Sequence, residues 1–321
     1  MWKIFFCSSV ATFVLNILSC LKKGEDVVVT NAGLIKFGSY DQSPYELRDF
    51  PWFMVLGVCG GLLGSFFNFI NQEMNVLRRI YLTHPWKKVV ETIVLTSVTA
   101  MLIFYAPKVT SGSCEKVENS DDVLEAEFIK YTCPEGEYNP LATLLLNPEG
   151  TTIKAFLNKK AIFEYNPLLL HFLICYLLTI VTYGTAVPAG LFLPGILIGC
   201  SLGRMMSLFI ETNIDAQPKP ATYAIIGAAA VLGGYSRLSF SLAVIMLETT
   251  ENVNLFLPII FALFISFAVG RLFNRSLYAA SLRFKSVPFL NENTPGFNAH
   301  LMAQNLMSST LVTLRKKASV Q

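Results

Sequence analysis

Between two long apolar runs lies Gly184-Thr-Ala-Val-Pro188-Ala-Gly190-Leu-Phe192-Leu-Pro194-Gly195, and an apolar helix from Ile196 to Ile210 follows at once. The flanking runs put this Pro/Gly-interrupted stretch at membrane depth. Irregular backbone is tolerated inside a bilayer only where protein buries it or where it lines a cavity. A helix beginning there points unpaired N–H groups and the positive end of its dipole at whatever fills that cavity. Between Glu164 and Arg204 no Lys, Arg or His occurs except His171. The attraction therefore comes from peptide amides, strong enough to bind an anion and weak enough to release it. The segment reads as an anion site on a permeation path.

The rest of the chain agrees with a membrane setting. Apolar segments of spanning length, about 20 residues, recur near 2–21, 52–80, 88–106, 166–187, 190–210, 222–248 and 256–282. Hydrophobic residues make up 53% and charged residues 15%, which excludes a disordered chain and argues against an ordinary soluble domain. A net charge of +3 is too small to mark nucleic acid as a partner. Histidines at 84, 171 and 300, with no close His/Cys cluster, argue against a structural zinc site, and no metal is expected. Cysteines 7, 20, 59, 175 and 200 lie in or beside apolar runs and read as small buried hydrophobes, whereas Cys114 and Cys133 sit in a polar loop.

Flanking charge sets orientation. Arg78, Arg79, Lys87 and Lys88 enclose a link free of acids, which reads cytosolic by the positive-inside bias. Arg283, Lys285, Arg315, Lys316 and Lys317 place the carboxy-terminal tail on the same side. From Lys108 to Gly150 nine acids face three lysines, and this loop is expected to face the lumen or the exterior. Small residues at fourfold spacing, Gly60/Gly64 and Gly195/Gly199/Gly203, read as tight internal packing. Arg204 and Arg237 read as helix-end anchors that snorkel or bond carbonyls, and Glu248 as part of a polar helix exit with Glu251.

Gly190-Leu191-Phe192-Leu193-Pro194 resembles the GxFxP signature of the CLC chloride channels and chloride/proton exchangers. Its usual setting, xxPxGxFxPxxxxGxxxGR, is matched through Pro188, Gly199, Gly203 and Arg204. Gly227 to Gly234, Arg237, Ser241 to Glu248 and Ser276-Leu277-Tyr278 fall in the family's order and spacing. Trp2 to Phe6, Gly33 to Gly38, Gly60 to Gly64, Gly136 to Asn139 and Val287 to Leu290 are similar to the late-endosomal and lysosomal exchanger branch. The resemblance implies an all-α polytopic membrane protein, the second inverted repeat of that fold, with broken and re-entrant helices. The run from Lys3 to Leu18, closed by Ser19-Cys20, has the outline of a secretory signal, but the resemblance makes it an interior transmembrane helix instead. Residues 1–285 would form the membrane region with the acidic luminal loop 109–150 inside it. Residues 286–321 would be a cytosolic linker and the start of a truncated CBS domain.

The same resemblance supplies roles. The N–H groups of Leu191 and Phe192 would hold a dehydrated anion, chloride by default. Gly190 would permit close approach, the Phe192 ring would wall the site, and Pro194 would suit the first helical turn. Tyr278 matches the tyrosine that coordinates the central chloride in the family. Cys114 and Cys133 match a luminal pair in the exchanger branch, so a disulfide is expected. No enzyme activity and no cofactor beyond the transported ion are implied. Protons, the lipid bilayer, a second copy in a homodimer and an accessory luminal subunit complete the implied partners, in an endosomal, lysosomal or vacuolar membrane. The motifs GSGIP and GREGP, which carry the family's serine and gating glutamate, are not in this chain. Met1 is accordingly read as a late start or a truncated gene product, and the fragment is expected to conduct poorly alone. Two other readings stand beside transport: a non-conducting subunit that assembles with full-length protein, and a membrane enzyme using Glu248, Glu251 and His171 in one cavity.

Overall fold

The computed structural model describes residues 2–23, 45–109, 114–116, 128–134, 137–157, 163–214, 218–238, 240–250, 252–284 and 302. The chain divides into a compact unit of residues 1–280 and a second of 281–321. The expected CBS opening lies outside the described residues except for Met302, as do Cys20's side chain and Glu251. Helix α1 spans Trp2–Lys23, α2 Phe50–Tyr81 and α3 Pro85–Val109. A two-residue antiparallel pair, β1 (Glu115–Lys116) and β2 (Glu137–Tyr138), precedes α4 (Pro140–Leu146) and α5 (Glu149–Leu157). Then come α6 (Tyr165–Thr182), α7 (Phe192–Ile214), α8 (Pro220–Ser236), α9 (Phe240–Thr250), α10 (Phe256–Phe273) and α11 (Leu277–Phe284).

Helix α8 is the axis of the bundle, buried on every side from Ala221 to Ser236. It can be so enclosed because α2, α7 and α10 meet it through small residues. A Cβ on Gly64 would lie 2.3 Å from the Gly234 carbonyl carbon, and one on Gly203 would lie 2.0 Å from the Tyr223 oxygen. Both glycine series thus serve contact between backbones inside the protomer.

Five helical stretches among the described residues are long and apolar enough to cross a membrane: Leu47–Tyr81, Pro85–Lys108, Tyr165–Thr182, Phe192–Ile214 and Val253–Phe273. The apolar run 222–248 breaks at Arg237, whose φ of 56° closes α8 in the left-handed region. Its second part, α9, has 11 residues, about 16 Å by helical rise. The run 256–282 breaks at Asn274–Ser276. The segment 109–150 is less loop-like than its charge suggests. Asn139, fully buried, caps α4 by accepting from the Ala142 N–H, and Leu141, Ala142 and Leu144 are buried behind it.

Arg204 corrects the sequence reading. It lies in the middle of α7, not at its end, and does not snorkel. Its buried guanidinium donates to the Phe156 carbonyl at 2.7 Å and sits 5.8 Å from the Phe163 ring centroid. It thereby caps α5, supplying donors where the last helical carbonyls lack partners.

Candidate anion site

The site begins where α6 ends. The Asn71 side-chain amide donates to the carbonyls of Ile180, at 3.1 Å, and Tyr183, at 2.8 Å. The Arg78 guanidinium donates to Tyr183 O at 3.0 Å and also to Val181 O. Four carbonyls at a helix C-terminus have no intrahelical partner, and α2 supplies donors for three here. Gly184 then turns the chain with φ +96°; a Cβ there would lie 2.1 Å from Asn75 Oδ1. Only glycine combines that dihedral with that proximity.

From Thr185 to Leu191 the backbone is irregular, and α7 starts at Phe192. The first bond of the new helix runs from Gly195 N to Leu191 O, 3.1 Å. Pro194 has no N–H. Among the described residues, the N–H groups of Phe192 and Leu193 find no backbone acceptor outside their own helix. The N–H of Leu191, which stands before the helix and gives its carbonyl to that first bond, likewise finds no backbone acceptor among the described residues.

Gly190, Leu191 and Pro194 line a cavity of about 220 Å³ together with Tyr183, Thr99 and Glu149. A second cavity, about 390 Å³, adjoins it at Thr99, Thr182 and Ala189 and carries the hydroxyls of Thr92, Thr96 and Thr185. A Cβ on Gly190 would meet nothing within 4 Å, so the space its lack of a side chain opens is left unfilled by the chain's own atoms. Phe192 and Leu193 pack half-buried against the main core and do not line the cavity.

Tyr278, in the first turn of α11, is 47% exposed. A polar knot sets this position. Arg237 donates to the backbone and side-chain oxygens of Asn274, whose amide donates to Ser65 O at 2.6 Å. Asn68 donates to Tyr235 O at 3.2 Å and Arg275 O at 3.3 Å. Asn274 heads the sequence Asn274-Arg275-Ser276, an N-glycosylation pattern, and its side chain is taken up by this packing.

Asn68, Asn71, Asn75 and Arg78 were not singled out as site residues from sequence, yet their signal is present. They recur at i, i+3, i+7 and i+10 in an apolar helix, one polar stripe on one face. Polar groups held in a spanning helix face a partner or a cavity.

His171 is buried in α6 and bonds Ser201 Oγ at 2.8 Å and Cys175 Sγ at 3.4 Å, whereas Glu248 is exposed on α9. These two do not share a cavity, which removes the ground for the enzyme reading. Among the described residues no group of three or more His, Cys, Asp or Glu could hold a metal. Away from the bundle, Cys114 and Cys133 are joined by a disulfide with Cα atoms 5.9 Å apart. Beside it Tyr138 donates to Glu115 at 2.8 Å. Burial, then the nearby Glu164 charge, raise the Glu115 carboxyl above its ordinary value against the lowering effect of that bond.

Comparison with known proteins supplies the context for this geometry. The family described as voltage gated chloride channel matches residues 1–271. The mouse protein named H(+)/Cl(-) exchange transporter 7 is 35% identical over 326 residues, covering 99% of this chain and 40% of the relative. The chain thus spans about 40% of the length of the curated relatives it matches in mouse, human, rat and cow. The crystal structure of a eukaryotic CLC transporter superposes with a TM-score of 0.51 at 23% identity, covering 75% of this chain and 36% of that one. A slow cyanobacterial Cl-/H+ antiporter gives 0.53 at 19% identity, covering 80% and 51%. At those identities the two structures establish the fold. With its apolar spans and the family match over most of its length, this chain is a multi-pass membrane protein of the voltage-gated chloride channel family.

Proposed function

We propose that this chain supplies one half of a chloride pathway across an endosomal, lysosomal or vacuolar membrane, with the anion held at the start of α7. The observation that carries the reading is that, among the described residues, the N–H groups of Leu191 and Phe192 have no backbone acceptor where α7 begins beside a cavity that Leu191 lines. Helix N-termini bind anions through such groups and the dipole. Gly190, Leu191 and Pro194 form the wall, the N–H groups of Leu191 and Phe192 donate, and Tyr278 adds an uncharged donor from α11. The name of the mouse relative supports chloride as the ion and proton exchange as the mode. A homodimer, with lumen against residues 114–138, fits the same reading. In it, the chain either joins a complementary half to conduct or assembles without conducting on its own.

The test is chloride binding by the chain in nanodiscs, read as ³⁵Cl NMR line broadening. Phe192→Ala keeps the backbone donor, whereas Phe192→Pro removes it at a helical position that accepts proline. The alanine variant is expected to retain broadening and the proline variant to lose most of it. Absence of chloride-dependent broadening in the unmodified chain sinks the proposal. Flux from liposomes, with and without a full-length relative, separates the conducting from the assembling role.

A further inference from the structure

The geometry points to Arg78 and Glu91 as a positioning pair for the anion site, a neutralised clamp that fixes its approach without adding net charge; this rests on the anion reading above. Arg78 is 9% exposed and Glu91 17%, with Nε to Oε1 at 2.6 Å. Among the described residues one other ion pair occurs, Arg48–Glu46, whose side chains are 66% and 62% exposed. Arg78 is therefore buried and Glu91 largely shielded, unlike the exposed pair. Every further donor of Arg78 that the structure shows goes to the end of α6, at Val181 O and Tyr183 O. Tyr183 lines the same cavity as Gly190, Leu191 and Pro194.

Two consequences follow from that arrangement. The fork of the guanidinium holds two carbonyls at fixed spacing, which a lysine could not do with one point of attachment. It thereby fixes the direction in which the backbone leaves α6 through Gly184. Glu91 has a separate role. An uncompensated guanidinium beside the approach would strengthen anion binding and slow release, since charges interact far more strongly in a poorly solvated site than in water. Glu91 cancels that charge. Its helix, α3, buries none of its apolar window within the protein. Through Arg78 the carboxylate at position 91 ties α3 to the α6 end, where Thr92 and Thr99 also line a cavity with Thr182.

The two members are distinguishable because their removal acts in opposite directions. Glu91→Gln keeps a hydrogen-bond acceptor on Arg78 but unmasks its charge; chloride affinity of the chain in nanodiscs is expected to rise about threefold, with steeper dependence on ionic strength. Arg78→Gln removes both clamp and charge; affinity is expected to fall about fivefold or more, and Arg78→Lys is not expected to restore it fully. A merely structural pair would move both variants the same way, downward, and that result overturns the proposal. Should Glu91→Gln fail to fold, Glu91→Asp keeps the charge at shorter reach; affinity close to that of the unmodified chain is expected there, and a fall as large as that of Arg78→Gln overturns the proposal as well. If the unmodified chain binds no chloride, the anion reading itself fails, an outcome separate from either.

Discussion

The phenol of Tyr235 donates to the Leu191 carbonyl at 2.8 Å, tying the central helix to the residue that precedes the anion-facing helix. The same oxygen accepts the first bond of α7, from Gly195 N at 3.1 Å. Tyr235 is buried and its ring packs on Phe67 at 5.3 Å between centroids, so the donor is rigidly held. Leu191 is fixed from two sides, and the N–H groups that follow it are aimed accordingly.

Removing this bond while keeping the ring is the mildest disturbance of the site. Tyr235→Phe is expected to cost about 1 kcal/mol of stability and to weaken chloride binding severalfold in the line-broadening titration. Gly195→Ala is expected to be more severe, because its Cβ would lie 2.1 Å from Tyr235 Oη. Overpacking of a close-packed site costs about 1–3 kcal/mol. Equal chloride affinity in both variants and the unmodified chain would show that the Leu191 carbonyl does not set the site.

The knot at Asn274 makes a second prediction. Its side chain accepts from Arg237 and donates to Ser65 O, and the chain that leaves α10 through it carries Tyr278 five positions beyond that helix. Asn274→Ala is expected to lower the unfolding free energy by about 1–3 kcal/mol, since it strands buried polar partners. The ¹⁹F resonance of a fluorotyrosine at position 278 should sharpen and shift as the residue gains freedom. No glycan is expected at Asn274 when the chain is made in a secretory compartment, and a mass shift lost on Asn274→Gln would contradict the packing.

The disulfide closes a loop of 18 intervening residues between Cys114 and Cys133. Loop-closure entropy assigns it about 3 kcal/mol. Cys114→Ser with Cys133→Ser should raise hydrogen exchange in residues 128–139 while leaving α7 and α8 protected, because the bridge lies outside the helical bundle. Loss of protection throughout the chain would mean that the bridge supports the whole fold.

Acidity should stabilise the same region. The Glu115 carboxyl is raised above its ordinary value chiefly by burial and next by Glu164, so it binds a proton more readily folded than unfolded. A raised folded value gives stability that is complete below the unfolded value and lost as pH rises through the folded one. Burial likewise raises the Tyr138 hydroxyl, keeping it a donor throughout that range. Exchange protection around Tyr138 is expected to increase as pH falls from neutral into the carboxylate range. Glu115→Gln should abolish the change, and protection that weakens on acidification would refute the sign.

Much of the architecture was legible without coordinates. The irregular stretch before Phe192 follows from Gly and Pro interrupting an apolar run, whereas the positions of the breaks at Arg237 and Asn274 came only with the structure. Helix α8 was legible as a span, but not as the buried axis, because burial on all sides looks the same in sequence as exposure to lipid. Arg204 was misplaced for a related reason. An arginine near an apolar run reads as an anchor at its edge, and only the arrival of the α5 carbonyls inside the bundle gives it buried acceptors.

The order of residues alone determined that the chain lives in a bilayer and that an amide-lined turn precedes Phe192. Apolar runs and helix breakers act locally, so their pattern along the chain suffices. The tertiary structure decided which groups hold that turn: Asn71, Arg78 and Glu91 at one end, Tyr235 at the other. These contacts join residues more than 40 positions apart or on different helices. Helix packing brings them together, and a buried carbonyl accepts whichever donor arrives.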